Sequence, residues 1–67
     1  MTLGEILSKI VNNDLDNDHN VIIIDGTNVY SGKCSYFIYN GAYDSLRSRN
    51  VEYYNSESNV VRLEERM

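Results

Sequence analysis

The clearest strand signal in the chain is V-I-I-I-D-G, at residues 21–26. Valine and isoleucine are stiff at the first side-chain torsion and fit a pleated surface, so the first four residues predict a β-strand. They do not alternate with polar residues, which is typical of a strand covered on both faces of its sheet. Residues 25–28 then predict a hairpin turn, because glycine adopts the positive φ that such turns require.

Upstream of this strand, residues 2–12 predict an amphipathic helix. Thr2 and Glu5 have the spacing of a capping box, in which the two side chains satisfy free backbone amides of the first turn. Apolar residues then recur at helical spacing along one stripe: Leu3, Ile6, Leu7, Ile10 and Val11. We expect this stripe to pack against one face of the sheet.

The residues after the first turn predict three more strands and a short helix. A second strand is expected over residues 29–38, with a bulge or bend at Gly32. Two helical turns follow at residues 42–48, and residues 51–54 and 60–64 alternate as a terminal hairpin. The alternation places Val51 and Tyr53 on one face of their strand, and Val61 and Leu63 on one face of the other.

The predicted fold is therefore a single small α+β domain over residues 1–67, with the element order α-β-β-α-β-β. Its N-terminal amphipathic helix packs on a small, mainly antiparallel four-stranded sheet.

This order of elements resembles short uncharacterised proteins encoded by phages and prophages of Gram-positive bacteria. In those proteins a capped helix precedes an apolar strand ending in D-G or D-x-x-G, then a Y-x-x-L-x-x-R-x-V segment and a terminal hairpin. The third piece corresponds here to Tyr43, Leu46, Arg49 and Val51. The resemblance implies a mobile-element context and carries over no catalytic residue.

Small size points to self-association. A domain of 67 residues has a thin core. Cys34 is the only cysteine, so no disulfide can form within the chain, and one cysteine with one histidine cannot supply the four ligands of a structural zinc. A homo-oligomer, most simply a two-fold dimer, is the remaining way to bury more surface.

Tyrosine is the least ordinary component, with six residues in the chain. They are too many for so small a core, and tyrosine is enriched at protein interfaces because it pairs a large apolar ring with a polar tip. The predicted interface contains Tyr30, Tyr36, Ile38 and Tyr53. Stacking on nucleic-acid bases is the other use of such rings, and it would need a basic groove. The candidates for that groove are Lys33, Arg47, Arg49 and Arg62.

The charge balance limits the partners. Ten acidic and six basic residues give a net charge of −4, which argues against binding duplex DNA or a membrane surface and permits binding to a basic protein surface. No apolar run is long enough to cross a membrane, and the first residues lack the features of a signal peptide. We therefore expect a cytoplasmic protein, in the host cytosol if it is phage-encoded.

Candidate catalytic and metal-binding residues are few. Asp14, Asp16, Asp18 and Asp25 match the first, third, fifth and twelfth positions of a calcium loop, but His19 replaces the glycine that its turn needs and the second half falls on the strand. We expect a solvated acidic linker that binds neither metal nor cofactor. His19 could serve as a general base beside these carboxylates, whereas Cys34 has no assignable partner on its strand. No glycine spacing predicts a phosphate loop.

These observations predict a small acidic interaction protein that is not an enzyme. It would be a phage-type accessory factor that binds or inhibits a host protein, such as a defence nuclease with a basic nucleic-acid-binding surface. The alternative is a binder of single-stranded nucleic acid or of a small nucleotide, with a metal-dependent DNA-nicking activity as a remoter variant.

Overall fold

The computed structural model describes residues 1–65 and has the element order that the sequence predicts. Its regular elements, in chain order, are α1 Leu3–Asn13, β1 Asn20–Asp25, β2 Asn28–Lys33, α2 Cys34–Tyr39, a 3-10 turn Gly41–Tyr43, α3 Asp44–Arg47, β3 Val51–Asn55 and β4 Val60–Leu63. The α+β class, the N-terminal helix and the four-stranded sheet are confirmed.

Helix α1 begins at the predicted capping box. The Thr2 hydroxyl accepts a hydrogen bond from the Glu5 amide at 3.3 Å, and the Glu5 carboxylate accepts one from the Thr2 amide at 2.9 Å. The buried residues of the helix lie at the predicted spacing: Leu3, Ile6, Leu7 and Ile10. The N-terminal segment also pairs with the chain just before and at the start of β3, where the Leu3 amide donates to the Arg49 carbonyl at 2.9 Å.

The sheet has the strand order β2-β1-β4-β3. Two of its pairings, β1 with β2 and β3 with β4, are antiparallel hairpins, and the central pairing of β1 with β4 is parallel. The parallel pairing arises because the chain leaves β2 at one edge and crosses through α2, the 3-10 turn and α3 to β3 at the other edge. Helices α2 and α3 both contact α1 on one side of the sheet.

The core lies between this helical layer and the sheet. Its fully buried members include Val21 and Ile23 of β1 and Val61 and Leu63 of β4. Val61 and Leu63 therefore lie on the same face of β4, as predicted. We predicted that both faces of β1 are covered. In the structure only the face that carries Val21 and Ile23 is covered. Ile22 is exposed and Ile24 is half-buried, because none of the helices formed by residues 1–65 packs on that side.

The prediction of a strand over residues 29–38 is wrong beyond Lys33. The chain turns into helix α2 there, and the Cys34 amide donates to the His19 carbonyl at 2.8 Å. The segment is rich in aromatic and β-branched residues, but helical spacing buries Cys34 and Phe37 together, and tertiary packing overrides the strand propensity. The predicted bulge at Gly32 is also wrong, because the β1–β2 register is continuous and the Phe37 ring packs over that glycine.

The prediction that Val51 and Tyr53 share a face is wrong as well. Strand β3 has a bulge at Glu52, with Val51 opposite Leu63 and Tyr53 opposite Arg62. The extra residue reverses the alternation, so Val51 packs against the core while Tyr53 points away from the helices.

Candidate protein-interaction groove

The loop between α1 and β1, residues 14–19, is held by its own aspartates. The Asp14 carboxylate accepts hydrogen bonds from the Asn17 amide group at 2.9 Å and from Nε2 of His19 at 3.2 Å. The Asp18 carboxylate accepts from the Ser35 backbone amide at 3.1 Å and from the Ser35 hydroxyl. The acidic loop is thereby fixed to the first turn of α2.

These hydrogen bonds keep two carboxylates ionised. Donation from Asn17 and His19 lowers the pKa of Asp14, and donation from the Ser35 hydroxyl and amide lowers the pKa of Asp18. The hydrogen bonds therefore favour the anionic form of both side chains.

The fixed loop and helix α2 enclose a shallow depression of about 230 Å³, which we call the acidic groove. Its lining combines acidic loop residues with apolar ones: Val11, Asp14, Leu15, Asp16, Asn17, Asp18, Ser35 and Tyr39. Leu15 is 77% exposed and Tyr39 is 79% exposed, the highest values among the exposed large hydrophobic residues of the described chain. The most exposed apolar side chains and three aspartates therefore share one site.

The chemistry of the groove suits a basic side chain. An arginine or lysine head can pair with the carboxylates, and the Tyr39 ring offers a face for a cation–π contact. The apolar stem of the same side chain, or an apolar neighbour, can cover Leu15. Contiguous exposed apolar surface rimmed by charge is characteristic of protein-binding sites.

The candidate metal residues do not converge. Asp14, Asp16 and Asp18 lie in the loop, whereas Asp25 lies at the far end of β1 and pairs with Arg49 at 3.0 Å. Within residues 1–65 no group of three or more His, Cys, Asp or Glu side chains is arranged to hold a metal ion. His19 does contact Asp14, as a base and its orienting carboxylate would, and this contact serves to brace the loop.

Of the four predicted interface residues, Tyr30 and Tyr36 lie close together, whereas Tyr53 lies on another side of the domain. Tyr30 packs partly against the core, with its ring centroid 6.0 Å from that of Tyr43, and Tyr36 lies 5.6 Å from the same ring. Ile38 packs partly against the core from α2. Tyr53 is exposed on the opposite side of the sheet. The interface made of these four residues stays a prediction, and they do not form one continuous patch.

The candidate cations are also dispersed. Arg47 pairs with Asp44 and donates to the carbonyls of Phe37 and Asn40, and Arg49 pairs with Asp25. Lys33 stands at the end of β2 opposite Asn20, whereas Arg62 is paired in register with Ile24 at the other end of β1. The four cations do not line a common groove.

Cys34 is a core residue. Its side chain is fully buried, and its Sγ donates a hydrogen bond to the Leu7 carbonyl at 3.4 Å. Burial, with a smaller contribution from the Asp18 carboxylate, raises the pKa of the thiol from 9.0 to about 11. The sulfur is neutral at physiological pH and is not poised as a nucleophile.

Two residues of the acidic groove, Leu15 and Tyr39, were not predicted as functional. Leu15 has a recognisable signal, because it is the only apolar residue in the polar segment between Asn12 and Asn20. Tyr39 belongs to the surplus of tyrosines, but its position beside the loop depends on the helical conformation of a segment that favours a strand.

No family model, curated protein or solved structure matches this chain. The structure defines it as an α+β domain with a mixed four-stranded sheet and its helices on one face. Over residues 1–65 no helix is long and apolar enough to span a membrane.

Proposed function

We propose that this chain is a small, non-enzymatic binding protein that presents its acidic groove to a basic surface of a partner protein. The observation that carries the proposal is the lining of the groove, where Leu15 and Tyr39 stand exposed beside the aspartates of residues 14–18. Apolar side chains gathered in this way gain free energy when a partner covers them.

The charges of the groove select the partner. Asp14 and Asp18 are held in their ionised form, and the whole chain carries a net charge of −4. Such a surface speeds encounter with a basic protein and disfavours an acidic one. We infer that the partner inserts an arginine or lysine, flanked by an apolar residue, between the loop and Tyr39.

Nucleic-acid-binding proteins of the host are the class of partner that this chemistry favours. Their basic channels attract phosphates, and an acidic protein surface can occupy such a channel in place of nucleic acid. The resemblance to phage-encoded proteins supports an accessory factor that acts on a host defence nuclease in the host cytosol. The dispersed positions of Lys33, Arg47, Arg49 and Arg62 give less support to direct binding of single-stranded nucleic acid.

The proposal is tested by selection from a displayed library of random short peptides on the immobilised protein. We expect enrichment of peptides with arginine or lysine next to an apolar residue. The double variant Leu15→Ser, Tyr39→Ser should bind the selected peptide at least about tenfold more weakly in solution, a loss of about 1.4 kcal/mol. The control is Tyr53→Ser, which removes an exposed ring outside the groove and should bind as the wild type does.

Enrichment of acidic or purely apolar peptides would contradict the proposal, as would equal binding by the groove variant and the wild type. A second arm uses a labelled single-stranded oligonucleotide at low salt. Tight binding that weakens steeply as salt is added would instead favour the nucleic-acid alternative.

A further inference from the structure

Strand β2 is one edge of the sheet, and the way it pairs with β1 determines which of its backbone groups face outward. Antiparallel strands alternate between residue pairs that exchange two hydrogen bonds and pairs that exchange none. The Cys34 amide donates to the His19 carbonyl at 2.8 Å, and this bonded pair continues the β1–β2 register by one step. In agreement, the Ile22 amide, opposite Ser31, turns away from β2 and donates to the Asn59 carbonyl at 3.0 Å. The pair of Ile22 with Ser31 is therefore not hydrogen-bonded.

The same alternation applies along the whole of β2. Tyr30 and Gly32 are bonded to β1, whereas the amides and carbonyls of Val29 and Ser31 point away from the sheet. Val29 and Ser31 are both exposed, and no backbone hydrogen bond beyond the ladder reaches them within residues 1–65. These outward groups have the spacing of an extended strand, so another extended backbone is the group that can satisfy them together.

Strand β3 is the opposite edge, and the chain itself protects it. The Val51 amide donates to the Met1 carbonyl at 2.8 Å, and Thr2 forms a bridge with Asn50. A bulge at Glu52 interrupts the remaining edge and places a carboxylate there, two devices that discourage strand addition. Strand β2 has a continuous register of six residues and no proline, so it is open along its length.

Three tyrosines line the helical side of the β2 edge and form what we call the tyrosine shelf: Tyr30, Tyr36 and Tyr43. The Tyr43 ring centroid lies 6.0 Å from that of Tyr30 and 5.6 Å from that of Tyr36, with the rings packed edge to face. Tyr36 remains 52% exposed, and a methyl group at Gly32 would lie 3.9 Å from its ring. Because Tyr36 lies so close to β2, the inward side chain of a strand added at this edge would contact the shelf.

We propose that β2 binds an extended segment of a partner protein as a fifth strand of the sheet, with an apolar or aromatic side chain of the segment on the tyrosine shelf. The backbone groups of Val29 and Ser31 supply hydrogen bonds to any sequence, and the shelf selects the side chain, which is the usual division of roles in strand addition. Successive side chains of a strand point to opposite faces, so apolar residues are expected at every second position of the segment.

The area of the edge favours a segment over a second copy of this chain. Its six residues at about 3.3 Å each give a length of roughly 20 Å, and a sheet occupies a depth of roughly 10 Å. The resulting area of roughly 200 Å² is far below the 800 Å² or so that each partner buries in a standard interface. Two copies joined through β2 alone would therefore form no stable dimer, whereas strand addition needs only the backbone bonds and an anchored side chain.

The edge is separate from the acidic groove. The groove is lined by the α1–β1 loop and by residues of α1 and α2, and within residues 1–65 its lining includes neither β2 nor the tyrosine shelf. Strand addition therefore does not rest on the proposed function, and either can fail alone. To keep the two apart, strand addition is tested on the Leu15→Ser, Tyr39→Ser protein, whose groove has lost its exposed apolar side chains.

Random displayed peptides are selected on this protein, and an enriched peptide is then measured in solution. We expect apolar or aromatic residues at every second position, separated by polar ones. Adding Ser31→Pro should weaken binding by about tenfold or more, because proline removes the outward amide without breaking a bond to β1. Adding Ser31→Thr, which keeps that amide, is the control and should leave binding unchanged. Circular dichroism verifies that both variants are folded.

Two further measurements do not depend on a proline variant. Methylating alternate backbone amides of the peptide should abolish binding for one set of amides and not for the other, as strand pairing requires. Amide hydrogen exchange in the protein alone should be fast at Val29 and Ser31 and slow at Tyr30 and Gly32. Addition of the peptide should slow the exchange at Val29 and Ser31.

Strand addition at β2 would be ruled out if no peptide is enriched, or if a folded Ser31→Pro variant binds as well as Ser31→Thr does. Equal binding by both sets of methylated peptides would rule it out as well, and so would slow exchange at Val29 and Ser31 in the protein alone. Exchange that becomes slow there only as the protein concentration rises would show that a second copy occupies the edge, against the proposal.

Discussion

Arg49 and Asp25 form an ion pair that joins distant parts of the chain, with Nη1 of the arginine 3.0 Å from Oδ1 of the aspartate. Asp25 ends β1, and Arg49 lies in the connection between α3 and β3. The same guanidinium also donates to the Glu64 carbonyl, just after β4. One largely buried cation therefore holds together the end of β1, the end of β4 and the entry to β3.

The first prediction follows from this contact. Arg49→Ala should lower the free energy of unfolding by about 1–3 kcal/mol, because it leaves Asp25 and the Glu64 carbonyl without their donor. Urea unfolding at a fixed, low protein concentration measures the change. Lys9→Ala, which removes an exposed cation from α1, is the control and should change stability by less than about 0.5 kcal/mol. Equal stability of the two variants would show that the ion pair does not brace the sheet.

The conformation of residues 34–39 gives the second prediction. In helix α2, Phe37 is buried and Tyr39 is exposed, whereas in a strand these two residues would share a face. Phe37→Ala should therefore cost about 3–5 kcal/mol of stability. Tyr39→Ser should cost less than about 0.5 kcal/mol, since its ring contacts little of the core. Chemical denaturation of both variants decides the matter, and comparable losses would favour the strand.

Cys34 provides a prediction on pH dependence. Burial raises the pKa of its thiol from 9.0 to about 11, so the folded state holds the proton more tightly than the unfolded state. Unfolding therefore releases a proton between about pH 9 and pH 11, and the folded state loses stability as pH rises through this range. Cys34→Ala removes the effect without adding a polar group.

The measurement compares urea unfolding of wild type and Cys34→Ala under reducing conditions from neutral pH to pH 11. All other side chains are the same in both proteins, so their contributions cancel in the comparison. The stability advantage of wild type should be constant below pH 9 and shrink above it. An advantage that stays constant to pH 11 would show that the thiol is not held neutral by the fold.

The sequence was sufficient for the elements whose local signals agree with their packing. The capping box at Thr2 and Glu5 and the apolar stripe of α1 need no tertiary information. Strand β1 and the hairpin turn after Asp25 are specified by β-branched residues followed by glycine. These local signals account for the correct class and element order.

The errors occur where packing reverses a local preference. Residues 34–39 favour a strand, yet burying Cys34 and Phe37 on one side requires a helix. The bulge at Glu52 has no sequence signature, and it moves Tyr53 to the side of the sheet away from the helices. The acidic groove depends on the first of these events, because Tyr39 approaches the α1–β1 loop only as part of α2. Its aspartates and Leu15 could be recognised from sequence, but the position of Tyr39 beside them could not.

The binding surface itself is tested most directly by backbone amide NMR spectra recorded while a basic peptide from the display selection is added. We expect shifts concentrated in the α1–β1 loop and in α2, which line the groove. The Leu15→Ser, Tyr39→Ser variant should show these shifts only at much higher peptide concentration. Shifts centred on the exposed strand residues Ile22 and Val29, or spread evenly over the acidic residues of the whole surface, would contradict binding in the groove.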